Sequence, residues 1–280
     1  MEGGEGEPLL LLHGFTGSWR AWGDSLLVGL ARRRWVLALD LPGHGSTSVP
    51  DDPAFHTLSA VVATCVRVLD RRGIRDADWL GYSMGGRMAL GAAVMEPERV
   101  RRLILESASP GLEHPEERAL RRESDARRAA GIETGGVEAF VEEWLSLPLF
   151  ATQARLPPRV RARERTRRLG NRARGLAASL RGAGTGNQPS FWGDLPGLRI
   201  PVLLLSGGDD LRYGEVAGRM ASRLPSATHR VVVGAGHAVH LERPREWLLE
   251  VGRFLEGRCT REGSGGGRGT ANGGGAPVPP

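Results

Sequence analysis

Ala77-Asp78-Trp79-Leu80-Gly81-Tyr82-Ser83-Met84-Gly85-Gly86 is the stretch on which the reading of this chain turns. Residues 77–82 suit a buried strand, and from Met84 to Glu96 the pattern is helical. Their junction, Gly81 to Gly85, fits G-x-S-x-G. A serine at a sharp strand-to-helix turn needs small neighbours, and Gly81, Gly85 and Gly86 supply them. Such a turn lifts the Ser83 hydroxyl clear of the backbone and points the Met84 N–H at a reacting atom. The helix N-terminus beneath favours developing negative charge.

Apolar runs recur on both sides of this junction. Leu9–Leu12, Trp35–Asp40, Val100–Ser107, Pro201–Ser206 and Thr228–Val233 have the length and continuity of strands buried on both faces of a parallel sheet. Helical patterns at about Trp19–Arg33, His56–Arg72, Tyr213–Arg223 and Arg243–Leu255 separate them. The expected fold class is α/β, a mostly parallel, doubly wound sheet. From about Gly111 to Asp194 there is no strand signal, and Pro148, Pro157 and Pro158 break a helical stretch. This reads as a helical cap inserted at the C-terminal edge of the strands, where open α/β sheets bind ligands. The expected organisation is a core of residues 1–110 and 195–256, a cap of residues 111–194, and a tail of residues 257–280. Eight glycines fall within residues 263–275 and prolines follow, so the tail is expected to be disordered.

Composition narrows the function classes. Of 280 residues, 40% are hydrophobic and 25% charged, which permits a large core and excludes global disorder. No apolar run approaches the ~18 residues of a membrane helix. The acidic start, Met1-Glu2-Gly3-Gly4-Glu5, lacks the basic region of a secretory signal. Cys65 and Cys259 form neither a disulfide framework nor a metal spacing. A cytoplasmic location is expected, with no membrane partner, no metal and no cofactor. The net charge is +6, and since the sequence contains no Lys, all 38 basic residues are Arg. The Arg run lacks interleaved aromatics and any groove-reading motif, so no nucleic-acid partner is expected.

A serine hydroxyl needs a base to take its proton. His237, in Gly234-Ala235-Gly236-His237, follows the last strand and suits that role. A carboxylate must hold its tautomer and stabilise the imidazolium. Asp209 and Asp210 both follow the preceding strand. Asp210 is the better placed across a short turn, with Asp209 as the fallback. His13, His44 and His240 are rival bases with weaker placement. A second oxyanion donor is expected after the first strand, in His13-Gly14-Phe15-Thr16-Gly17-Ser18, where the Phe15 N–H would join the Met84 N–H. Losing one such donor typically costs on the order of 10²–10³ in rate.

The order Ser83, Asp210, His237, together with Asp40-Leu41-Pro42-Gly43-His44-Gly45, resembles the α/β-hydrolase superfamily. Narrower stretches resemble the 2-succinyl-6-hydroxy-2,4-cyclohexadiene-1-carboxylate synthases of menaquinone biosynthesis. These are Gly81–Arg87, Trp144 with Leu147-Pro148-Leu149-Phe150, Gly175-Leu176-Ala177, Gly184-Thr185-Gly186-Asn187-Gln188-Pro189-Ser190, and Gly236–Pro244. The resemblance implies a carbon–oxygen lyase. Pyruvate is eliminated from an enolpyruvyl cyclohexene, with the serine as general base driven by the His–Asp pair. The implied partner is a small polycarboxylate substrate. Arg87, one helical turn after Ser83, can flank its pocket, because Arg binds carboxylates through paired N–H bonds. By resemblance, Arg121 and Arg168 reach it from the cap, and Tyr82 and Trp144 line it. The family has one or two strands before the position of Leu9, whereas only seven residues precede Pro8, so either a sheet shortened at that edge or a start codon placed late is expected. The alternative reading is a carboxylesterase or carbon–carbon bond hydrolase using the same triad.

Overall fold

The computed structural model describes residues 1–257 apart from 49 and 51. The tail expected to be disordered therefore lies, but for Gly257, outside the described residues. Seven strands form one sheet: β1 (Glu2–Gly3), β2 (Glu7–Leu12), β3 (Arg34–Leu39), β4 (Ala77–Tyr82), β5 (Val100–Glu106), β6 (Val202–Gly207) and β7 (Ala227–Val232). Their order is β1-β3-β2-β4-β5-β6-β7. All pairings are parallel except β1 with β3. The edge expected to be shortened carries one short strand, Glu2–Gly3, antiparallel to Val36 and Leu37.

The continuous apolar runs become strands because both faces of the sheet are covered. Leu10 and Leu12 face one layer with α2 (Leu58–Asp70) and α3 (Met84–Met95). Leu9 and Leu11 face the other, with α1 (Gly23–Ala31) and α9 (Pro244–Leu255). All four leucines are fully buried, each contributing about 1.5–3 kcal/mol relative to exposure. The helix read as Trp19–Arg33 is two pieces, a 3₁₀ turn at Trp19–Trp22 and then α1. Gly23, at φ 66°, breaks the run between them.

Between β5 and β6 the chain forms α4 (Pro115–Leu145), a 3₁₀ segment (Pro148–Arg155), α5 (Pro158–Leu169) and α6 (Ala173–Ala183). Pro148 and Pro158 stand at the starts of their helices, where a missing N–H leaves no acceptor unsatisfied. Gly136, at φ 80° and ψ 172°, kinks α4. A small core of its own, including Ile132, Phe140, Val141 and Leu176, joins α4 to α6. The remaining helices, α7 (Leu211–Ala221) and the short α8 (Val239–Glu242), flank β7 in sequence.

The strand order reverses between β2, which leads to β3 on one side, and its other neighbour β4. Parallel α/β sheets open a crevice at such a switch. The Phe15 loop leaves β2 there and Ser83 leaves β4, so topology alone brings the two together.

Candidate active site

Ser83 sits between β4 and α3 at φ 49° and ψ −108°, a left-handed conformation costing on the order of 1–3 kcal/mol. The turn is held from both sides. The Ser83 N–H donates to the Glu106 carbonyl at 2.8 Å, and the Arg87 N–H donates to the Ser83 carbonyl at 3.1 Å. The flanking glycines are required by space. A Cβ on Gly81 would lie 2.3 Å from the Gly85 oxygen, and one on Gly85 would lie 2.1 Å from the Leu12 oxygen.

The Ser83 Oγ lies 3.0 Å from His237 Nε2. On the other side of the ring, His237 Nδ1 lies 2.7 Å from Asp210 Oδ2. A carboxylate only accepts, so Nδ1 carries the proton and Nε2 is left to accept from serine. Asp210 N-caps α7, its Oδ1 accepting from the Tyr213 N–H at 3.2 Å. Asp209, the fallback, points elsewhere and pairs with Arg155 at 2.5 Å. His237 is buried between rings, with Tyr213 centred 4.5 Å away, Tyr82 5.4 Å and Phe150 6.1 Å.

The rival histidines have other partners. His13 Nδ1 donates to the Gly14 carbonyl at 2.8 Å, and Nε2 accepts from the Leu41 N–H at 3.0 Å. Burial pushes its pKa down, so it stands as a neutral strut between the loops after β2 and β3. His44 is buried beside it, its pKa pushed down to about 3 by desolvation. His240 Nδ1 donates to Glu106 at 2.8 Å.

A cavity of about 760 Å³ opens over Ser83 and Asp210. Phe15 and Met84 border it beside the serine. The Met84 N–H is the first of its helix and has no intrahelical acceptor. Tyr82, Trp144, Arg87, Arg121 and Arg168 all line this cavity. Their states differ. Arg87 is buried and donates to Gln188 Oε1 at 2.8 Å and to the Ala183 carbonyl at 3.0 Å. Burial pushes its pKa down to about 10, so it stays cationic at neutral pH. Arg121 holds Asp125 through Nε at 2.8 Å. Arg168 shares the buried Glu164 with Arg167, at 3.5 and 2.5 Å.

Tyr213, Phe150 and Arg128 also line the cavity, and the sequence reading gave none of them a part in the site. Tyr213 and Phe150 pack on the imidazole, and Arg128 places its guanidinium 5.6 Å from the Trp144 ring. Tyr213 was findable as the residue one helical turn after Asp210. Arg128 was not, because nothing separates it in sequence from Arg127. Among the described residues, no group of three or more His, Cys, Asp or Glu side chains is arranged to hold a metal ion.

A model of the α/β hydrolase fold family matches residues 7–244. The chain belongs to the α/β-hydrolase fold family. Within it, a relative from Bacillus subtilis (strain 168), provisionally named a 2-succinyl-6-hydroxy-2,4-cyclohexadiene-1-carboxylate synthase, is 39% identical over 89% of this chain and 90% of its own. A synthase of that name from Escherichia coli O1:K1 / APEC is 30% identical over 88% of this chain and 93% of its own. The solved structure of MenH from S. aureus superimposes with a TM-score of 0.86 at 32% identity, covering 90% of this chain and 94% of that one. No helix among the described residues is long and apolar enough to cross a membrane.

Proposed function

We propose that this protein is a carbon–oxygen lyase of menaquinone biosynthesis. It eliminates pyruvate from 2-succinyl-5-enolpyruvyl-6-hydroxy-3-cyclohexene-1-carboxylate to give 2-succinyl-6-hydroxy-2,4-cyclohexadiene-1-carboxylate. The observation that carries this reading is one cavity lined both by Ser83, 3.0 Å from His237, and by Arg87, Arg121 and Arg168. The synthase relatives support the same substrate.

In this reading Ser83 is the base. As its hydroxyl proton passes to His237 Nε2, the oxygen takes the proton next to the succinyl carbonyl. The electron pair released enters the carbonyl as an enolate-like oxyanion, received by the Phe15 and Met84 N–H groups. It returns through the ring double bond and expels enolpyruvate, which takes up the proton held on His237 Nε2 and becomes pyruvate, leaving serine and histidine as they began. No covalent bond forms between serine and a substrate carbon. Asp210 stabilises the transient imidazolium. The arginines hold the substrate carboxylates and the helical insert acts as a cap. Neither a cofactor nor a nucleic-acid or membrane partner enters this scheme, and we place it in the cytoplasm.

The test is pyruvate release from the enolpyruvyl substrate by the purified protein. Ser83→Ala is expected to lower kcat by about 10³ or more, by analogy with loss of other activated serines. Near-normal release by Ser83→Ala would remove the base. The same hydroxyl and imidazole geometry also suits nucleophilic attack on an ester. Rapid turnover of an activated ester with a burst, and no pyruvate release, would replace the lyase by a hydrolase.

A further inference from the structure

Glu106 is fully buried at the end of β5, beside the elbow, and the mechanism above gives its side chain no part. Its contacts reach both halves of the serine–histidine couple. The main-chain carbonyl accepts the Ser83 N–H at 2.8 Å, holding the elbow. The carboxylate turns to the loop that carries His237. Oε1 accepts the His240 N–H at 3.0 Å and its Nδ1–H at 2.8 Å, while Oε2 accepts the Trp247 Nε1–H at 2.8 Å. His240 lies three residues beyond His237 and rests edge-on to Tyr82, with ring centroids 4.7 Å apart.

We propose that Glu106 is a positioning residue for the Ser83–His237 couple, acting through His240. A single residue fixes the serine with its backbone and the histidine loop with its side chain. The 3.0 Å proton path is therefore measured from one point. A carboxylate is needed because three N–H groups face it. A glutamine would offer one acceptor oxygen and turn an NH₂ towards a donor. Within the loop, Glu242 already accepts the Gly236 N–H at 2.9 Å. That contact shapes the loop but does not tie it to the elbow.

The proposal rests on the lyase reading only for its choice of substrate, so two readouts are taken. One is kcat and KM for pyruvate release. The other is the rate at which a fluorophosphonate labels Ser83, which depends on the serine–histidine couple and not on the substrate. Glu106→Gln is expected to lower both kcat and the labelling rate by about ten-fold or more, with KM changed less than about two-fold, since small misplacements of reacting groups cost rate rather than affinity. At position 240 two variants separate hydrogen bonding from packing. His240→Phe keeps a ring but loses the bond to Oε1, and is expected to show the same loss. His240→Asn forfeits the ring but offers an amide N–H where Nδ1–H stood, and is expected to recover most of it.

A packing role predicts the opposite order, with His240→Phe active and His240→Asn impaired, and that order would overturn the proposal even if Glu106→Gln did not fold. Full activity of folded Glu106→Gln would overturn it too. Labelling of the unmodified protein without pyruvate release would sink the lyase reading alone. Absence of both would overturn the two together.

Discussion

Arg87 illustrates how one residue serves two purposes. It rises from α3 into the cavity and its guanidinium bonds to Gln188 and the Ala183 carbonyl. Only a planar fork reaches both acceptors while leaving N–H groups for a ligand. Hydrogen bonds to charged groups contribute about 1.5–3 kcal/mol, or roughly 10–150-fold. Arg87→Ala is therefore expected to reduce kcat/KM for the anionic substrate by about that range. Turnover of a neutral activated ester, if measurable, should change by less than about three-fold. Equal losses on both would show that the cation does not read substrate charge. Cys65 stands at the other extreme. Burial pushes its thiol up to about 12, so it is inert packing.

At the scale of elements, α6 decides how the helical insert meets the core. Gly175 and Gly182 stand two turns apart on one face. A Cβ on Gly175 would lie 2.2 Å from the Gly43 oxygen, and one on Gly182 would lie 2.3 Å from the His56 oxygen. The helix therefore lies backbone to backbone against the segment that joins β3 to α2. Gly175→Ala must push it outward. Overpacking of this kind costs about 1–3 kcal/mol, and in a chain of this size about 2–4 °C per kcal/mol. A thermal midpoint lowered by roughly 2–12 °C with an increased KM is expected. An unchanged midpoint would mean that α6 is free to shift.

This contact also shows where sequence reading stops. The six parallel strands were legible to within a residue or two, because a parallel sheet buried on both faces writes itself as unbroken apolar runs, whereas the two-residue β1 has no such run and was not. Ser83, Asp210 and His237 were legible because each follows a strand end in a fixed order. Gly175 could be quoted as part of a motif, but nothing in a string of residues shows Gly43 as its partner. The same holds for Arg121 and Arg168. Their ion pairs with Asp125 and Glu164 lie one helical turn away and can be read from spacing, but nothing in spacing shows that both helices turn these arginines into the cavity over Ser83.

For the whole molecule, the buried histidines make stability depend on pH on the acid side. In the unfolded chain His44 takes up a proton near pH 6.5, whereas in the folded protein burial delays this to about 3. Between those values the unfolded state binds the extra proton, so stability falls as pH falls, by about 1.4 kcal/mol per pH unit for one such group. His13, lowered by the same cause, acts in the same direction. The thermal midpoint is expected to drop from pH 6.5 towards pH 4, and His44→Gln to show a shallower slope over that window. Identical slopes would assign the proton uptake to other groups.

The sequence by itself determined the layered α/β architecture, the serine elbow and the order of the candidate triad, because these depend on local periodicity and on short turns at strand ends. Only the tertiary structure sent Asp209 away to Arg155, gave His240 to Glu106, and set the arginines around one cavity. Those choices turn on differences of a few ångströms between residues far apart in the chain. Such distances are fixed by packing and topology, and no local pattern carries them.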